Sequence, residues 1–249
     1  MNIIITGGAG GIGSATVMSL VNKNVNLAVI DNDSKKIKDL KNLLSRKDIK
    51  KVTHYKCDIS DYKSVKSIID KINNKFDSID VLINCAAILN DAPLISIYEG
   101  KLKKMSLNSW RKTISTNLDS YFYCTREVVE KMVFKRTRGL IINISSISSN
   151  GNLGQSSYAA SKAAINALTV TWAQELSAFG IRVAGLSPGM TDTSMPKNSM
   201  KKAQLDNWIN KTPLKRMANA SEIANGINFI IDNDYFCGRT LELDGGLRM

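Results

Sequence analysis

Short runs of aliphatic and β-branched residues alternate along the chain with longer stretches in which apolar residues recur every three or four positions. The runs "NIIIT", "NLAVID", "VTHYKCD", "DVLINCA", "GLIINISS", "RVAGLSPG" and "RTLELDGG" have strand length and are nearly continuous in apolar residues. Between them, "SATVMSLVNK", "DSKKIKDLKNLLSRKDIKK", "YKSVKSIIDKINNK", "AAINALTVTWAQEL" and "SEIANGINFII" carry the helical spacing. Strands without a polar face, each followed by a helix, predict a parallel sheet covered by helices on both sides, a doubly wound α/β fold. No repeat, low-complexity tract or linker breaks the alternation, so residues 1–249 are expected to form a single domain.

Composition narrows the chemistry. A chain of 249 residues with 43% apolar content can bury a full core, and no apolar run approaches the roughly 18 residues of a membrane span. The first strand candidate starts at Asn2 with no leader pattern ahead of it, so a soluble, cytoplasmic protein is expected. Cys57, Cys85, Cys124 and Cys237 are scattered, which fits free thiols rather than a zinc site or a disulfide framework. His54 is the single histidine and lies in a strand candidate, so neither a Ser–His pair nor a histidine metal cluster is expected. The formal charge of +12 comes from lysines dotted along the polar faces of helices, with no interleaved aromatics. That pattern reads as a solvated surface, not a nucleic-acid site.

The loops that follow strands hold ligands in such sheets. The first, "TGGAGGIG", follows a strand and opens a helix, and it contains Gly7, Gly10, Gly11 and Gly13. Residues without side chains let backbone N–H groups approach a pyrophosphate at a helix N-terminus, the Rossmann-type arrangement for a dinucleotide. Asp31 ends the second strand roughly twenty residues on, where a carboxylate accepts from the adenosine ribose hydroxyls and repels a 2′-phosphate. The expected cofactor is therefore NAD rather than NADP. "DNDS" also offers a helix cap there. Further on, "SSYAASK" reads as the opening of a helix, with Ser156 or Ser157 as its cap. Four residues apart on that helix, Tyr158 and Lys162 share a face.

These segments together resemble the short-chain dehydrogenase/reductase family in its compact branch, similar to 3-oxoacyl-(acyl-carrier-protein) reductases. The parts stand in register over nearly the whole chain: the glycine loop, Asp58 in "CDIS", "NCAA" at 84–87, Asn117 in "STNLDS", "INISS", "SSYAASK", "SPG" at 187–189 and "LDGG". The resemblance implies an NAD(P)-dependent oxidoreductase with Asn117, Ser146, Tyr158 and Lys162 as its catalytic set and Tyr158 as acid–base. A free tyrosine titrates near 10. A lysine at about 4–5 Å contributes roughly 3–4 kcal/mol to its acidification at an effective dielectric near 20. The family count of thirteen residues before the tyrosine points to Ser145, whereas strand register from Gly139 points to Ser146, which we prefer.

The same resemblance assigns cofactor contacts to Thr6, Gly7, Gly10, Gly11, Ile12, Gly13, Asp31, Asp58, Ile59, Asn84, Ala86, Tyr158, Lys162, Pro188, Gly189, Thr191 and Thr193. It also implies a homotetramer. Two departures stand out. "NCAA" places Cys85 and Ala87 where the family usually has Asn and Gly, and a methyl at 87 fits only with negative φ. The segment "LNDAPLISIYEGKLKKMSLNSW" is roughly nine residues longer than in the ketoacyl reductases, and reads either as facing substrate or an interface or as a plain surface insertion. The leading expectation is an NAD(H)-dependent oxidoreductase for a secondary alcohol and its ketone. An NADPH-dependent 3-oxoacyl-(acyl-carrier-protein) reductase is the alternative, with Arg136 and Arg138 available for an acidic carrier but Phe179 in place of a further cation. A non-catalytic NAD-binding sensor is a third reading. The substrate is expected to be a small alcohol, ketone or acyl thioester, with no metal.

Overall fold

The computed structural model describes residues 1–248. Seven parallel strands form one sheet: β1 (Asn2–Thr6), β2 (Asn26–Asp31), β3 (Val52–Lys56), β4 (Val81–Asn84), β7 (Leu140–Ile144), β8 (Arg182–Pro188) and β9 (Thr240–Leu243). Their order across the sheet is β3-β2-β1-β4-β7-β8-β9. The missing numbers belong to a separate antiparallel hairpin, β5 (Ile95–Tyr98) and β6 (Lys101–Lys104), formed by the long segment after "NCAA".

Side-chain alternation explains why the strands are apolar throughout. Ile3 and Ile5 of β1 enter one core layer with Leu27, Val29, Ile83 and Ile142, while Ile4 enters the other with Ala28, Ile30, Leu82 and Ile141. Helices α1 (Gly11–Leu20), α2 (Ser34–Leu43) and α9 (Ala220–Asp232) supply the first layer with Val17, Leu40 and Ile227. Helices α3 (Tyr62–Phe76), α5 (Ser120–Lys135) and α6 (Ser156–Leu176) supply the second with Ile69, Val128 and Trp172. Fully burying a residue such as Ile4 or Ile69 stabilises by about 1.5–3 kcal/mol, so both faces contribute strongly.

The three remaining helices, α4 (Leu107–Ile114), α7 (Ser194–Ser199) and α8 (Lys202–Lys211), surround the strand C-termini rather than the core. The lysine-rich stretch after β2 ends sooner than its pattern predicts: α2 stops at Leu43 and a short 3₁₀ turn covers Asp48–Lys51. Among the described residues, no helix is long and apolar enough to cross a membrane, and no group of His, Cys, Asp and Glu is placed to hold a metal. The strand order reverses between β1 and β4, which opens a crevice at their C-terminal ends.

Candidate active site

A cleft of about 670 Å³ occupies that crevice. Its floor is the turn from β1 into α1. Gly7 adopts φ +61°, a conformation that a side chain disfavours, and a Cβ there would meet the Ala86 Cα at 2.6 Å. The Gly10 N–H donates to the Gly7 carbonyl at 3.0 Å and closes the turn, and a Cβ on Gly13 would run into the same carbonyl oxygen. No side chain caps α1. Its first N–H groups therefore open onto a surface that side chains would fill, as a pyrophosphate requires. Gly7, Gly10, Gly11, Ile12 and Gly13 line the cleft, and Thr193 packs against Gly11 from the loop after β8.

At one end stands Asp31, 9% exposed. Its Oδ2 accepts from the Ala9 N–H at 3.1 Å and its Oδ1 from the Asp33 N–H at 3.0 Å, which fixes the carboxylate while leaving each oxygen a further lone pair. The helix cap in "DNDS" is Asp33, which accepts from the N–H groups of Lys35 and Lys36, so Asp31 is free to face the cleft. Asp58 and Ile59 line the same end. Lys36, which the sequence reading passed over, lines it too, with its Nζ 3.9 Å from Asp33.

Three expected residues turn their side chains elsewhere. The Thr6 hydroxyl accepts from the Cys85 N–H at 3.1 Å and ties β1 to the turn after β4. Asn84 is fully buried and donates to Thr125 and Asn143, both at 3.0 Å, which places its amide inside the sheet-helix layer and not in the cleft. The strand β4 ends at Asn84, and Cys85 and Ala86 in the turn that follows line the cleft instead. Asn117 sits in a π turn spanning Ser115–Asp119 and holds both backbone groups of Ile88, donating to its carbonyl at 2.9 Å and accepting from its N–H at 2.8 Å. Ala87 is not among the positive-φ residues, so its methyl is accommodated.

The other end of the cleft gathers the acid–base groups. Ser146 lines the cleft with Tyr158 and its hydroxyl accepts from the Ser148 N–H at 3.1 Å, whereas Ser145 spends its hydroxyl on the Lys162 carbonyl at 3.1 Å. Lys162 is 1% exposed and its Nζ donates to the Ile144 carbonyl at 2.7 Å, lying 5.8 Å from the centre of the Tyr158 ring. Beneath it, Tyr121 is buried and donates to the same carbonyl at 3.0 Å. Burial pushes the Tyr158 phenol up to about 12, a rise that the nearby Ser146 hydroxyl opposes and that Asp91 and Cys85 reinforce. Burial pushes the Lys162 amine down to about 8. With the protein's own groups alone, desolvation thus outweighs the acidification expected of the lysine. Helix α6 starts at Ser156 with Gln155 as N-cap and no side-chain cap, which corrects the expectation that Ser156 or Ser157 caps it.

Past Tyr158 the cleft is lined by Asn90, Asn152, Gln155, Met190, Met195 and Trp208. None of these was legible as a site residue except by adjacency: Gln155 precedes "SSY", and Asn90 opens the long segment. Pro188, Gly189, Thr191 and Thr193 close the wall from the loop after β8, with the Thr191 hydroxyl donating to the Gly189 carbonyl at 3.0 Å.

Comparison with known proteins gives the family and the fold. The family model of the short chain dehydrogenases matches residues 1–204. The 3-oxoacyl-(acyl-carrier-protein) reductase FabG of Thermotoga maritima is 34% identical over 98% of this chain and 96% of its own length. The (3R)-3-hydroxyacyl-CoA dehydrogenase of Canis lupus familiaris is 31% identical over 99% of this chain and 95% of its own. The crystal structure of gox2181 superposes with a TM-score of 0.86 at 25% identity, covering 99% of this chain and 95% of that one. An oxidoreductase for the hydroxyl–keto pair, the chain belongs to the short chain dehydrogenase family.

Proposed function

We propose that the protein is an NAD(H)-dependent oxidoreductase that interconverts a 3-oxoacyl thioester and its 3-hydroxy form. One observation carries the reading: a single cleft joins the uncapped α1 N-terminus and Asp31 to the Ser146, Tyr158 and Lys162 group. When bound, a nicotinamide would supply the hydride exchange and, in its oxidised form, a positive charge. Ser146 orients the substrate oxygen. Tyr158 Oη gives it a proton in reduction and takes one in oxidation, and Lys162 favours the phenolate and holds the ribose. Asn117 holds the Ile88 backbone, so it acts as a support for the wall beside these groups.

The substrate class rests on the relatives, named as reductases or dehydrogenases of 3-oxoacyl and 3-hydroxyacyl thioesters or of acetoacetyl-CoA, and on the amide-rich end of the cleft. Lys36 beside Asp31 favours a second reading, in which NADP is used through a cation facing the 2′-phosphate. A homotetramer built on α5 and α6 is also proposed, supported by Phe122, Phe134 and Val170, all exposed on those helices. The test is a panel of S-acetoacetyl thioesters and secondary alcohols offered with each nicotinamide, followed by absorbance of the reduced cofactor. Turnover of the acetoacetyl thioester above simple alcohols is expected; turnover of alcohols alone would reject the substrate class.

A further inference from the structure

The long segment that leads to the β5–β6 hairpin first folds back onto the catalytic loop. The Ala92 N–H donates to the Gly154 carbonyl at 2.8 Å, and Asp91 Oδ2 accepts from Gln155 Nε2 at 2.8 Å. Gln155 Oε1 in turn accepts from Asn152 Nδ2 at 2.9 Å. Gln155 is 5% exposed, stands three residues before Tyr158 and lines the cleft together with Asn152.

Amide side chains can present either end, but an ionised carboxylate only accepts. Asp91 therefore obliges Gln155 to offer its amino group, which turns the Gln155 carbonyl toward Asn152, and Asn152 must answer with an N–H. One charge sets the polarity of two amides. Each amino group uses one N–H in this chain of bonds and keeps a second one. The end of the cleft beyond Tyr158 is thereby made donor-rich.

We propose that Asp91 is a specificity-determining positioning residue that holds Gln155 and Asn152 as N–H donors for a second oxygen on the substrate, the carbonyl two bonds from the reacting ketone carbon. The inference rests on the 3-oxoacyl reading above and names the contact that would separate such a substrate from a plain ketone. It accounts for why a residue of the inserted segment is bonded to the residue that caps the catalytic helix.

The test compares S-acetoacetyl-N-acetylcysteamine with its S-(3-oxobutyl) analogue, in which a methylene replaces the thioester carbonyl. The unmodified protein should prefer the first in kcat/KM. Asp91→Asn, whose side chain can also donate, should reduce that preference about tenfold through KM, the worth of one or two hydrogen bonds. Asn152→Ala, which leaves the Asp91–Gln155 pair intact, should do the same and carries the test if Asp91→Asn fails to fold. A merely structural role would instead lower the melting temperature and slow both substrates equally. An unchanged preference in both variants, or equal losses on the two substrates, would overturn the proposal. If the unmodified protein reduces neither compound, the 3-oxoacyl reading itself has failed, which this design separates from failure of the Asp91 role.

Discussion

Lys162 and Tyr158 lie on one face of α6 with the ammonium 5.8 Å from the ring centre, and burial drives the two in opposite directions, the phenol up to about 12 and the amine down to about 8. Both shifts disfavour charge, so the protonated phenol is the resting form at neutral pH. That form suits proton donation to a ketone. Oxidation of an alcohol needs the phenolate, and the rate in that direction should rise with pH. Replacing Tyr158 by Phe should leave NADH binding intact and lower turnover by roughly 10²–10⁴, the usual worth of a general acid. Steady-state turnover with fluorescence titration of NADH checks both halves, and turnover within threefold of the unmodified protein would remove Tyr158 from the proposed role.

The two adjacent serines separate cleanly. Ser146 lines the cleft with Tyr158 and lowers the phenol's pKa, while Ser145 donates its hydroxyl to the Lys162 carbonyl. Ser146→Ala should lose activity by about a hundredfold, on the scale of losing one positioned donor. Ser145→Ala should lose little activity but some stability, about 1 kcal/mol for one buried hydrogen bond. Kinetics and urea melts of the two variants measure this directly, and the reverse order would contradict the assignment.

The buried lysine also gives stability a pH signature. Its amine titrates near 8 in the folded chain against 10.5 when unfolded. Between those values the unfolded chain binds more protons, so this group makes stability rise with pH, by up to about 3 kcal/mol, and is neutral to pH below the window. Tyr158 has the opposite sign, since its raised phenol makes the folded chain bind more protons, but only above its ordinary value of 10.0. The difference in unfolding free energy between the unmodified protein and Lys162→Met should therefore grow in favour of the former as pH climbs from about 8 to about 10. A difference flat across that range would show that the amine is not desolvated.

Gly13 meets backbone where a Cβ would sit, namely the Gly7 carbonyl oxygen and the Gly8 Cα at 2.7 Å. Neither can move without opening the turn. Gly13→Ala should lower stability by about 1–3 kcal/mol, as overpacking does, and weaken NADH binding further. Calorimetry of binding and thermal melts would show whether the turn has opened.

The parts of this molecule that depend on local periodicity were readable before any coordinates. Strands such as "NIIIT" are apolar on both faces because Ile3 and Ile4 enter opposite core layers. Asp31 was readable because it ends a strand that the glycine loop points to. What was not readable depends on which way a side chain turns or on distant partners. Asn84 and Cys85 are adjacent in sequence, but Asn84 ends β4 and Cys85 lies in the turn that follows, so the buried residue is the one expected in the cleft. Tyr121 meets Lys162 only because α5 and α6 cover the same face of the sheet, and Lys36 reaches the cleft from the first turn of α2. Asp91 carries no local signal, since its partner Gln155 is 64 residues away.

The most direct measurement is kcat/KM for an acetoacetyl thioester with NADH and with NADPH. Asp31 is fixed by the Ala9 and Asp33 N–H groups at one end of the cleft, and in the proposed reading it would accept from the adenosine ribose hydroxyls and oppose a 2′-phosphate. Charged-acceptor hydrogen bonds contribute roughly 1.5–3 kcal/mol each. Lys36 offsets part of the repulsion but already faces Asp33. A combined penalty of about 3 kcal/mol corresponds to roughly a hundredfold preference for NADH, and Asp31→Ser should narrow it. Turnover with NADPH equal to or better than with NADH in the unmodified protein would contradict the reading.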